Sequence, residues 1–298
     1  MGTQQEVKYE APEETLPGLL PTTVEILTSK DFFLKKHSGN HTVRVGTHYV
    51  VKYGPSPIHF QEGENMLFVK QATTIPVPAV YKIYKEDGIH FLVMEHVEGT
   101  TLKKVWPKLP FIGKQTFARQ IRRYIHELRA IPSPGYYGGI SRQGVECPVL
   151  TFKWLSEKPI HPRVKKPSET EADWCDMMLA AGEAMAAGEL PCHTEWVRDK
   201  FRAIFSEGHE PKFTHCDIVN RVDLMLRRDG VVVPLDWAHA GWYPSYWEYC
   251  LATDWSYHRD DWTEWIADIF KDMEYVAELG WMIYFRRRMR DVSIPGLW

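Results

Sequence analysis

Short apolar runs separated by polar turns fill the first third of the chain. Val43–Val45 and Tyr49–Lys52 flank Gly46-Thr47, which predicts two strands joined by a two-residue turn of the Gly-first type. Val80–Tyr84 and His90–Met94 flank Asp87-Gly88 and predict a second hairpin. Between them Met66, Leu67 and Val69 anchor a helix over Phe60–Gln71, closed by Ile75-Pro76-Val77-Pro78. Beyond Gly99 the period lengthens. Phe117, Ile121, Tyr124, Ile125 and Leu128 recur at helical spacing across Phe111–Ile131, and Ser133-Pro134-Gly135 ends that run. Tyr136–Lys166, rich in Gly and Pro, reads as irregular, and Asp173–Ala187 and Thr194–Phe205 predict two more helices, the second capped by Thr194. A last hairpin follows, Leu224–Leu226 and Val231–Leu235 around Asp229-Gly230, a dipeptide suited to positive φ.

A strand-rich beginning and a helix-rich remainder predict an α+β protein. Residues 1–21, polar and broken by Pro12, Pro17 and Pro21, read as a flexible lead or a strap lying on the surface. Residues 22–95 form a small lobe with an antiparallel sheet and a helix, and residues 96–298 a mainly helical lobe that carries the last hairpin. The linker Glu95-His96-Val97-Glu98-Gly99 marks the boundary. A chain of 298 residues is long enough for two such lobes.

Charge and cysteines narrow the class. A formal net charge of −3 argues against a nucleic-acid binder relying on a broad basic field. Five scattered cysteines without CxxC spacing give no disulfide framework and no metal motif. No apolar stretch is long enough to span a bilayer and Met1 opens no secretory leader, so the expectation is a cytoplasmic chain without a membrane partner.

The chemistry gathers near the last hairpin. Its two strands lie side by side, so the loop entering the first, with His215 and Asp217, and the loop leaving the second, with Asp236, emerge at one end. Two carboxylates there suit a base that accepts a hydroxyl proton and a ligand that holds Mg²⁺ on a nucleotide. Lys52, closing an apolar strand, fits an ammonium that grips phosphates, and fits equally a lysine that blunts a sheet edge. Glu62, early in the next helix, fits a partner for Lys52, with Glu64 as the alternative; its place also suits the helix dipole.

The order His-x-Asp, hairpin, Asp236-Trp237, then Ala240-Gly241-Trp242-Tyr243-Pro244 and Tyr246-Trp247-Glu248-Tyr249 resembles the aminoglycoside phosphotransferase family of the protein-kinase-like fold, in its branch abundant in filamentous fungi. The resemblance implies a two-lobed kinase-like architecture and ATP with Mg²⁺ as cofactors. Asp217 would be the catalytic base toward a hydroxyl of a small-molecule acceptor, with His215 bracing its loop. Asp236 would hold the metal, helped by Asn220. Lys52 and Glu62 would form the phosphate-gripping pair, Ser38, Gly39 and Asn40 the phosphate-covering turn, and Met94, Glu95 and Val97 the adenine hinge. The aromatic tail, Trp255 to Phe285, reads first as core, since an aromatic stripe at helical spacing is more often packed inside, and second as a pocket for an aromatic or apolar acceptor. Three positions depart from the pattern: Cys216 stands for the usual Gly, Val222 for the Asn five residues after Asp217, and Ala238 for a frequent acid. Val222 offers Mg²⁺ no oxygen. A second reading is therefore a kinase-like scaffold with a degenerate catalytic loop, repurposed for ligand binding or a non-phosphoryl step in secondary metabolism.

Overall fold

The computed structural model describes residues 5–35, 39–145, 147, 161–185, 194–206, 208–254 and 260–293. The chain divides into two compact units, residues 1–105 with 221–238, and residues 106–220 with 239–298.

The first unit is built on an antiparallel sheet. Its strands are β1 (Glu6–Glu10), β2 (Phe32–Lys35), β3 (His41–Val45), β4 (Tyr49–Gly54), β5 (Val80–Glu86) and β6 (Ile89–Glu95), in the order β1-β5-β6-β4-β3-β2. Helix α1 (Thr23–Thr28) opens on a capping box in which Thr22 and Glu25 satisfy each other's backbone N–H groups. Helix α2 (Ile58–Ala72) follows β4 and packs on β5 and β6. Gly63 permits the close approach, since a Cβ there would stand 2.6 Å from Ile83 Cδ1. Strand β7 (Thr100–Thr101) and helix α3 (Leu102–Val105) come next, and β7 pairs with β9 (Leu224–Leu226), which pairs with β10 (Val232–Pro234). The last hairpin thus belongs with the sheet-bearing unit, because β7 reaches it directly after the 96–99 linker.

In the second unit the predicted apolar stripe of α4 (Phe111–Ala130) is buried at Phe117, Ile121, Tyr124, Ile125 and Leu128. The unit adds α5 (Glu171–Met185), α6 (Thr194–Phe205), strands β8 (Pro211–Thr214) and β11 (Gly241–Pro244), α7 (Trp247–Asp254), α8 (Trp262–Ile269) and α9 (Val276–Ser293). Aromatic packing forms its core: the Trp174 ring meets Trp247 edge-on at 5.3 Å and Tyr243 at 5.4 Å.

Three sequence expectations change. The lead is no loose tail, because Glu6–Glu10 pairs along β5 and the Tyr49 hydroxyl donates to the Gly18 carbonyl at 2.7 Å. The β3–β4 register matches Val45 with Tyr49, so that turn holds three residues, Gly46 to His48, rather than two. At the last hairpin only Gly230 is left-handed (φ 82°). Gly230 N–H donates to the Arg227 carbonyl at 3.1 Å and Arg227 N–H to the Val231 carbonyl at 2.9 Å, a turn closed by a glycine bulge. Asp229 contributes its carboxylate, accepting from Val231 N–H at 3.2 Å.

Candidate active site

In the first unit Lys52 occupies the middle of β4, paired with Thr42 on β3 and Leu92 on β6. It does not stand at the sheet edge, so a role in blunting that edge is excluded. Its ammonium donates to Glu62 Oε1 at 2.7 Å and to Asp236 Oδ1 at 2.9 Å. Burial alone would depress the Lys52 pKa. The Glu62 and Asp236 carboxylates outweigh it, so the pKa stays above the ordinary lysine value and the side chain remains cationic. Burial lifts Glu62 to about 7 against the pull of Lys52, and the negative charges of Asp236 and Asp223 add to the rise.

The partners are distinguished by where α2 points them. Glu62 is 1 % exposed and faces the sheet, whereas Glu64, the alternative, pairs with Lys8. Asn65, one helical turn beyond Glu62, donates from Nδ2 to the Trp237 carbonyl at 2.8 Å. Helix α2 therefore holds the lysine and also the segment after Asp236. Asp236 itself is left-handed (φ 61°), a conformation that an L-residue other than Gly adopts at a cost, and such residues concentrate at functional sites.

The predicted phosphate-covering turn is described in part: Ser38 lies outside the described residues, Gly39 is left-handed (φ 81°), and Asn40 sits against Gly54 at the end of β4. Met94 and Val97 are buried, and Glu95 spends its N–H on the Ala79 carbonyl at 2.8 Å and accepts the Ala79 N–H at 3.0 Å. These contacts fix the end of β6, where the hinge residues were expected.

In the second unit His215, Cys216, Asp217 and Asn220 share one loop after β8. His215 Nδ1 accepts the Asp217 N–H at 3.2 Å, the bracing role expected of it. Asn220 donates from Nδ2 to Asp217 Oδ2 at 3.1 Å, so its amide orients the carboxylate. The residue that sequence reasoning missed is Glu248. Its buried carboxylate accepts N–H groups from His215 at 2.8 Å, Cys216 at 3.0 Å and Ile218 at 3.4 Å. Burial raises its pKa to about 7, opposed by those backbone donors. An acid amid the aromatic run Tyr246-Trp247-Glu248-Tyr249 was the available signal. Cys216 has φ 76°, which explains why glycine suits this place in the motif.

No family model matches the chain, and comparison with curated protein sequences finds no match. Solved structures do. The chain aligns with ADP-bound aminoglycoside phosphotransferase APH(2'')-Ib at TM-score 0.58 and 15% identity, over 86% of this chain and 80% of that one. The streptomycin–ATP complex of APH(2'')-IIa gives 0.58 at 17%, over 87% and 86%. A thermostable mutant of APH(4)-Ia, in complex with ADP and hygromycin B, gives 0.57 at 13%, over 93% and 100%. The fold is that of the kinase-like phosphotransferases. At this distance the likeness covers architecture alone, an antiparallel-sheet lobe and a helical lobe.

The aromatic tail residues are mainly core, the first of their two sequence readings. Trp262, Trp265, Phe270 and Phe285 are buried, and Asp261 is tied to Lys114 at 2.8 Å and to the indole N–H groups of Trp106 and Trp265. Trp255 and Tyr257 lie outside the described residues. Among the described residues no helix is long and apolar enough to cross a membrane.

Proposed function

We propose that the protein transfers the terminal phosphoryl group of ATP to a hydroxyl of a small molecule. The observation that carries this reading is the Lys52 ammonium held between Glu62 and Asp236. A cation kept charged in a largely buried place, on a central strand of a fold shared with nucleotide-bound transferases, matches the need to neutralise nucleotide phosphates.

Lys52 neutralises phosphate oxygens and Glu62 keeps it aimed. Met94, Glu95 and Val97 supply the adenine contacts at the end of β6, and Gly39 with Asn40 the covering turn. Asp217, oriented by Asn220 and by His215 under its backbone N–H, accepts the proton of the acceptor hydroxyl. The donor set suits Mg²⁺: Asp236 offers a hard carboxylate that is 44 % exposed, as a metal that keeps waters and phosphate oxygens requires. When bound, Mg²⁺ neutralises charge between the nucleotide phosphates. Asn220 gives its Nδ2–H to Asp217, and its Oδ1 is the atom that would serve the metal.

The second reading, a repurposed scaffold, is favoured by Val222, an apolar residue 46 % exposed where the motif has Asn. One experiment separates the two: nucleotide binding and phosphoryl transfer to a panel of hydroxylated compounds, for wild type and Asp217→Ala. Transfer that vanishes in the variant, with ATP binding kept within about twofold, supports the phosphotransferase; wild type that binds no ATP supports the scaffold.

A further inference from the structure

We infer that Asn65 is a positioning residue for Asp236: through the Trp237 carbonyl, its amide holds the backbone turn that keeps the Asp236 carboxylate on Lys52 and open to a nucleotide-bound metal. The inference rests on the phosphotransferase reading and concerns residues of the first unit alone.

The turn needs support from outside itself. Asp236 has φ 61°, and a residue other than glycine stays in that region only where its neighbours fix it. On the chain before it, Leu224 pairs with Pro234 and the Leu235 N–H donates to the Asp223 carbonyl at 2.7 Å. On the chain after it, the Trp237 indole donates to the Pro234 carbonyl at 3.0 Å, and the Trp237 carbonyl accepts from Asn65 Nδ2 at 2.8 Å. All but the last of these contacts lie within the hairpin and its exit. Asn65 ties the turn to α2 instead. That helix is fixed in place, since a Cβ at Gly63 would stand 2.6 Å from Ile83 Cδ1 and 2.9 Å from Leu92 Cδ1, hard against β5 and β6. Glu62, three residues before Asn65, accepts from Lys52 at 2.7 Å, and Lys52 donates to Asp236 at 2.9 Å. One helix thus sets both the ammonium and the carboxylate beside it. Asn is a poor helix former, and at 0 % exposure a leucine would suit the packing better. A buried carboxamide in mid-helix needs a hydrogen-bond partner, and the Trp237 carbonyl is one.

Mn²⁺ with ADP is the probe, free Mn²⁺ being read by electron paramagnetic resonance against an ADP-only control. Metal-free ADP affinity is measured by calorimetry, and the fold of each variant is checked by its thermal melt. Asn65→Leu, close in size but without a donor, should weaken Mn²⁺ about tenfold or more while metal-free ADP affinity stays within about threefold. If Asn65→Leu fails to fold, Asn65→Gln and Asn65→Met decide: they match in length, and Gln, which keeps a donor, should bind Mn²⁺ about fivefold tighter. Asn65→Leu that binds Mn²⁺ within about twofold of wild type, or Gln and Met variants that bind it alike, would overturn this inference alone. Equal losses of Mn²⁺ and metal-free ADP would do the same, since they would make Asn65 a residue of the fold as a whole. Wild type that takes up neither Mn²⁺ nor ADP would overturn the nucleotide reading and this inference with it.

Discussion

The Lys52 ammonium donates to Glu62 at 2.7 Å, and the Glu62 side chain is 1 % exposed. Glu62→Ala removes the buried partner and leaves Lys52 to Asp236, which is 44 % exposed, so it should destabilise the protein by about 2 kcal/mol in urea unfolding. The double variant Lys52→Met with Glu62→Leu should lose less than the two single changes summed, because neither charge is then left buried. A Glu62→Ala loss below about 1 kcal/mol would contradict a tight pair.

Glu248 is the brace of the loop that carries Asp217. Truncation to Ala leaves three backbone N–H groups without their carboxylate, so Glu248→Ala should cost about 3 kcal/mol of stability and lower turnover further than nucleotide affinity. Glu248→Gln retains an acceptor oxygen and should fall between. Equal losses in turnover and nucleotide affinity would show that Glu248 acts on the fold as a whole.

Cys216 sets a backbone requirement against a packing one. Relief of its left-handed φ favours Gly, while loss of a buried side chain, 8 % exposed, disfavours it. Cys216→Gly should lie within about 1 kcal/mol of wild type. Cys216→Val, β-branched at positive φ, should lose about 2 kcal/mol or more. Thermal or urea unfolding of the two variants checks the ordering.

A pH effect arises away from the loop. His209 is buried, its Nδ1 paired with Glu171 and its Nε2 with Glu278 at 3.0 Å, while the Tyr246 and Tyr275 rings pack beside it and the Tyr137 hydroxyl donates to its carbonyl. Burial lowers the imidazole pKa, but the two carboxylates overcome it and leave the net value above 6.5. The folded state then holds the proton more tightly than the unfolded chain. The cluster's contribution is complete below pH 6.5 and is lost as pH rises through the elevated value. Urea unfolding at stepped pH should show that decline, and Glu278→Gln should flatten it. An unchanged slope in the variant would remove His209 as its source.

Much of this was legible in the sequence because it is local. Asp87-Gly88 marks its hairpin with φ of 49° and 79°, the α4 stripe follows helical spacing, and Lys52 with Glu62 lie ten residues apart across one strand–helix connection. What escaped depends on distant partners. Glu6–Glu10 alternates polar and apolar residues, but only two of the five are apolar and the Pro-broken polar segment that follows masks them; pairing with β5 forms the strand. Asn65 and Glu248 reach backbone groups 172 and about 30 residues away, which no local pattern records.

The central claim is that Lys52 and its two carboxylates form a nucleotide site. Its most direct test is thermal unfolding of wild type and Lys52→Met, each with and without millimolar MgATP. The account predicts that wild type melts several degrees higher with MgATP, about 2.7 kcal/mol of stabilisation at a hundredfold excess over Kd, and that Lys52→Met gains far less over its own ligand-free melt. Wild type with no shift, or both proteins with the same shift, would contradict it.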